Sequence, residues 1–85
     1  MGDDEALSSA LKQKHPGAME ALYDRYNVHI QRVLVRVMGI DFNLEDMLHE
    51  VFVAAFSNAS SLKDGSRLKA WITSIAVFTA RQKIR

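Results

Sequence analysis

Apolar residues along this chain recur at threes and fours and almost never alternate with period two, so the pattern predicts helices and no strand. From about Asp4 to Lys14, Ala6, Leu7, Ala10 and Leu11 share one side of a short leading helix. Asp3 or Asp4 caps it and His15-Pro16-Gly17 ends it. Pro16 suits the first turn of a second helix over 16–39, where a missing amide hydrogen costs nothing. Its apolar positions are Met19, Leu22, Tyr23, Tyr26, Ile30, Val33, Leu34, Val37 and Met38, with Gly39 as the stop. A third helix over 43–57 starts at Asn43, a good cap with Asp46 three residues on. Leu44, Met47, Leu48, Val51, Phe52, Ala55 and Phe56 form its single stripe.

Residues 58–66 read as a loop, because Ser, Asn, Asp and Gly crowd there with Leu62 as an apolar insertion. A fourth helix is predicted over 67–85. Its core stripe is Leu68, Trp71, Ile72, Ile75, Ala76 and Thr79, while Ser74, Phe78, Arg81 and Arg85 fall on a neighbouring face. Trp71 belongs with the core. Phe78 has two placements open to it, toward a ligand or inward. The expectation is an all-α fold: one compact bundle of three main helices plus a short N-terminal helix over 1–15. No internal repeat or low-complexity tract interrupts it.

Length changes this picture little: 85 residues make a single modest core, burying roughly 60–65% of the surface the unfolded chain exposes. Cysteine is absent, which excludes disulfides and thiolate metal sites. No apolar run approaches the roughly 20 residues of a membrane span, and no export signal opens the chain, so the expectation is a cytoplasmic protein without membrane insertion. His15, His29 and His49 are too scattered to suggest a metal site, and neither metal nor cofactor is expected. An enzyme is not expected either. The acids of the third helix lack a partner base, and no nucleophilic triad or Gly-rich phosphate loop is present.

Charge changes it more. The net charge of +1 conceals segregation: residues 1–40 carry five acids and five bases, and 41–60 carry Asp41, Glu45, Asp46 and Glu50 with no Lys or Arg. Residues 61–85 carry six bases against Asp64 alone. One surface should seek a basic protein partner and the other a polyanion. Taken alone, the acids also suit a solvated face favoured by the helix N-terminal dipole.

From Pro16 onward the chain resembles region 2 of bacterial sigma factors of the extracytoplasmic-function group. The resemblance rests on AMEALYDRY in the second helix, LEDMLHEVFVAAF in the third and LKAWITSIA after a loop of the expected length. It implies a transcription-initiation domain that docks on the β′ clamp helices of RNA polymerase core and captures the non-template strand of the melted promoter minus-ten element. It further implies polymerase contacts at Asp46, His49 and Glu50, with Phe52 and Phe56 at the edge. The apolar stripe also leaves Val53 pointing outward with those three, and carboxylates on that ridge can receive Arg donors bidentately. The family commonly has Gln where His49 stands, which predicts a contact that varies with pH near neutrality.

For the strand, the resemblance implies that residues 60–66 form the pocket for a flipped base, with Leu62 where an aromatic is often found. Phe78, Arg81 and Arg85 match positions on the helix that reads or steers the strand. Lys63, Arg67 and Lys69 are candidate phosphate contacts. Ser74 and Phe78 stand where the family frequently has Arg and Asn. A phenyl ring stacks but cannot read a base edge, which predicts relaxed sequence preference there. If about three bases meet phosphates, a fourfold rise in salt weakens strand binding roughly twentyfold, so the domain is a weak DNA binder without polymerase.

An anti-sigma factor is a further partner that the resemblance implies. The minus-thirty-five-binding domain of such factors is absent, which suggests a fragment of a longer protein. The rival readings are a helical protein-protein interaction module with no DNA role and a duplex-binding helix-turn-helix. The latter is disfavoured because its turn is about three or four residues, not the nearly ten before Arg67.

Overall fold

A computed structural model describes residues 3–39 and 42–84. Among them are four α-helices, α1 (Asp4–Lys12), α2 (Ala18–Met38), α3 (Leu44–Ser57) and α4 (Leu68–Lys83), and two single 3-10 turns, Ala59–Ser61 and Gly65–Arg67, between α3 and α4. The fold is all-α.

Local chemistry sets most of the helix ends. Asp3 caps α1 by accepting from the Ala6 amide at 2.7 Å, and Asn43 caps α3 by accepting from the Asp46 amide at 3.1 Å. The start of α2 differs from the expectation: Pro16 lies outside the helix. Gly17, at φ 87°, turns the chain in a left-handed conformation that helical geometry excludes, and the helix begins at Ala18. The other end of α2 is set by Gly39, at φ 83°. Lys14 adopts φ 55°, unusual for a residue with a side chain. Its ammonium donates to the Phe56 carbonyl and lies 4.3 Å from the Phe56 ring centroid, which ties the α1–α2 turn to the end of α3.

The core is built around α2, which buries Leu22, Tyr26, Ile30 and Leu34 at every fourth position and packs against α1, α3 and α4. Leu7 and Leu11 of α1 close one end, and Met47, Leu48, Val51, Phe52 and Ala55 supply the α3 side. In α4 the buried stripe is Leu68, Ile72, Ala76 and Ala80, narrower than the sequence suggested. Trp71, Ile75 and Thr79 sit at its margin, half-buried. The alanines at 76 and 80 present little volume, so this stretch of the helix packs closely and its flanks remain near the surface.

Candidate functional site

Two surfaces carry the residues that the sequence singled out. The first is the outer ridge of α3. Because Met47, Leu48, Val51, Phe52 and Ala55 face the core, Glu45, Asp46, His49 and Val53 are left exposed on the opposite side. Glu50 is half-buried, and one of its oxygens lies 3.1 Å from the Lys83 ammonium of α4. That pair is solvent-accessible and therefore weakly held, so a guanidinium from a partner can replace Lys83 at little cost.

Phe52 does not protrude from this ridge. It is 2% exposed, with its ring edge-on to Tyr23 at 5.0 Å between centroids and 60° between planes. Together with Met19, Glu20, Leu48 and His49 these two rings line a hollow between α2 and α3, in which Phe52 is floor and Tyr23, 41% exposed, is wall. Phe52 therefore lies mainly in the core and reaches the surface only at the bottom of this hollow, while Tyr23 offers the more accessible aromatic surface. Tyr23 had the periodicity of a core position, so spacing alone hid it.

The second surface runs from the loop along α4. Asp64 accepts from the amide and the hydroxyl of Ser66 at 3.0 and 2.7 Å and starts the turn Gly65–Arg67. These bonds, the hydroxyl first, hold its carboxyl below the usual range, with Arg67 and Lys12 adding to the effect. Ser61 accepts a 3.0 Å hydrogen bond from the Trp71 indole nitrogen and donates to the Asn58 carbonyl at 2.7 Å. Between these anchors lies an open cleft bordered by Ser61, Lys63, Arg67, Trp71 and Ser74. Lys63, Arg67 and Lys69 are exposed around the loop and the start of α4. The Ser74 hydroxyl donates to the Trp71 carbonyl at 2.7 Å, so its proton is already used within the helix.

Phe78 is 64% exposed, which removes the inward placement, and Arg81 is exposed beside it. Arg85, like Asp41 of the acidic segment, lies outside the described residues. Leu62 is more deeply placed than a loop position suggests. It is 2% exposed and belongs to the hydrophobic core, so it fixes the loop from beneath and reaches the cleft only as part of its floor. Burying a leucine in this way contributes about 1.5–3 kcal/mol, a gain lost if the side chain turned outward.

Residues 22–85 match the family model of Sigma-70 region 2. The chain belongs to the sigma-70 region 2 family. This gives it a role in sigma-factor transcription initiation. No curated protein and no solved structure gives a match. The matched segment of this sigma region 2 domain takes in most of α2, both charged surfaces and the loop between them, whereas α1 precedes it. Among the described residues no cluster of His, Cys, Asp or Glu is arranged to hold a metal, and no helix is long and apolar enough to cross a membrane.

Proposed function

We propose that this sigma region 2 domain docks on the β′ clamp helices of RNA polymerase core through α3 and captures extruded non-template bases of the promoter minus-ten element with the loop and α4. The observation that carries the reading is that one small fold carries two surfaces of opposite charge: exposed carboxylates on α3, and an open basic cleft continued by an exposed phenyl ring on α4, the two meeting at a hollow lined by Glu50, Val53, Phe78 and Lys83. Glu45, Asp46 and Glu50 supply acceptors for arginines on a helical partner, His49 adds a polar contact, and Val53 and Tyr23 extend the contact apolarly. On the other surface, Lys63, Arg67, Lys69 and Arg81 attract phosphates, and Phe78 offers a face to an unstacked base.

The mechanism is non-covalent. A site that accepts only extruded bases favours the open duplex by the difference in its affinity for the two states, and polymerase supplies the free energy of strand separation. Phe78 stacks without reading an edge, and Ser74 has its hydroxyl proton engaged, so sequence preference at this step is relaxed. Arg85 joins the strand-facing set by resemblance. The motif run also favours the extracytoplasmic-function group, a cytoplasmic site of action and control by an anti-sigma factor that covers these surfaces.

The test is binding of the chain to purified polymerase core and to isolated clamp helices, compared with an Asp46→Ala, Glu50→Ala double variant. The native chain should bind and the variant should lose roughly tenfold or more, as removal of two charge-assisted contacts requires. Equal binding by a folded double variant would contradict the reading.

A further inference from the structure

The loop that borders the strand-facing cleft rests on α1. Ser8 is 2% exposed, and its hydroxyl lies 2.7 Å from the Asp4 carbonyl oxygen of its own helix and 3.3 Å from the carbonyl oxygen of Gly65, 57 residues further on. Gly65 lies so close to α1 that a side chain would be crowded. A Cβ there would stand 3.2 Å from the Ser8 Cβ and 3.3 Å from the Glu5 Cα, and a backbone atom cannot rotate out of the way. Close approach is therefore what glycine provides here. Glu5, Ser8 and Lys12 follow the i, i+3, i+7 spacing of one helix face, and Lys12 acts on the Asp64 carboxylate beside Gly65.

This helix is itself fastened to the body of the domain. The Asp4 carboxylate accepts from the Arg25 guanidinium at 2.8 Å and from the Tyr26 hydroxyl at 2.6 Å. Burial and then the bond to Asp4 push the Tyr26 hydroxyl up to about 12. A continuous chain of contacts thus runs from α2 through Asp4, along α1 and through Ser8 to the loop.

We propose that α1, which precedes the family-matched segment, is a brace that holds the base-capturing loop in shape, with Ser8 and Gly65 as its positioning residues and single-stranded DNA as the ligand it prepares for. The proposal deepens the strand-capture reading above and rests on it. A loop left to order itself on binding would forfeit about 1–2 kcal/mol of backbone entropy for each residue fixed, so a preformed cleft binds more tightly with no added contact.

The experiment compares the native chain with Gly65→Ala, which crowds the turn against α1, and Ser8→Ala, which removes the hydroxyl without a clash. Amide hydrogen exchange is read at Leu62 and Arg67, whose amides close the two turns on the Ala59 and Asp64 carbonyls at 3.1 and 3.0 Å. Amides of α2 and α3 serve as the reference. Strand affinity is read with a short single-stranded minus-ten oligonucleotide, and core affinity is read in parallel. In Gly65→Ala the two loop amides should exchange roughly tenfold faster or more at constant rates in α2 and α3, and strand affinity should fall about fivefold or more with core affinity unchanged. Ser8→Ala should move the same quantities less.

Uniform acceleration throughout the domain, unchanged loop exchange, or a loosened loop with native strand affinity would each overturn the proposal. If the native chain bound no strand, the strand-capture reading would fail by itself, and the exchange rates would still decide whether α1 braces the loop.

Discussion

Helix α3 and the loop that follows it are adjacent in sequence but are held in place in different ways. In α3 the cap, the apolar stripe and the outward carboxylates lie within one run of residues, so the exposed ridge follows from helical geometry once Met47, Leu48, Val51, Phe52 and Ala55 are buried. The loop has no such internal logic. Its shape depends on Leu62 reaching the core, on Gly65 lying against Ser8, and on Ser61 meeting the Trp71 indole. A docking surface built on a helix face tolerates change at many positions, whereas a cleft built on a loop depends on a few distant contacts.

The largest effect expected from this contrast is on stability. Leu62→Ala should lower the unfolding free energy by about 2–5 kcal/mol in urea denaturation, as for other fully buried leucines. A solvent-facing leucine would give a change within about 0.5 kcal/mol, and that result would return Leu62 to the surface role first expected of it.

Phe78→Ala reverses the pattern. The ring is 64% exposed, so stability should hold, while affinity for a single-stranded minus-ten oligonucleotide should fall by the roughly 1–3 kcal/mol that one base-aromatic stack contributes. Loss of stability without loss of affinity would place the ring in the packing after all.

The smallest effect concerns the α2–α4 seam. The Thr73 hydroxyl donates to the Lys69 carbonyl at 2.7 Å, so the His29 Nε2–H is the donor in the 2.7 Å bond between His29 and Thr73. Burial first, then Lys69, Arg32 and Arg36, hold the His29 imidazole below its ordinary value of 6.5. The unfolded chain therefore takes up this proton more readily than the folded one. The stability that His29 contributes is complete above about 6.5 and declines as pH falls through that value toward the folded pKa. Urea midpoints should drop between about pH 8 and pH 5.5 by more in the native chain than in His29→Gln. Equal drops would show that the imidazole is not the titrating group.

The same contrast explains what was legible in the sequence. The caps at Asp3 and Asn43, the α3 stripe and the segregation of charge are local patterns, and the family resemblance followed from three of these runs in order. The placements that departed from expectation are all tertiary. Pro16 fits a helix start by itself, yet the positive φ of Gly17 sets the true one. Leu62 is a lone apolar residue among serines, and nothing local says which neighbours will cover it. Tyr23 and Phe52 both carry core spacing, but the shallow packing of α2 on α3 leaves one on the wall of a hollow and the other on its floor. Ser8 gave no signal at all, because its partner is 57 residues away.

The most direct test of the account is a crossed titration of the native chain, Asp46→Ala with Glu50→Ala, and Phe78→Ala, each against the clamp helices and against the single-stranded minus-ten oligonucleotide. Separate roles for the two adjoining surfaces predict that the carboxylate variant loses the clamp helices and keeps the strand, and that Phe78→Ala does the opposite. Loss of both ligands in either folded variant, or of neither in both, would contradict the division of labour between α3 and α4.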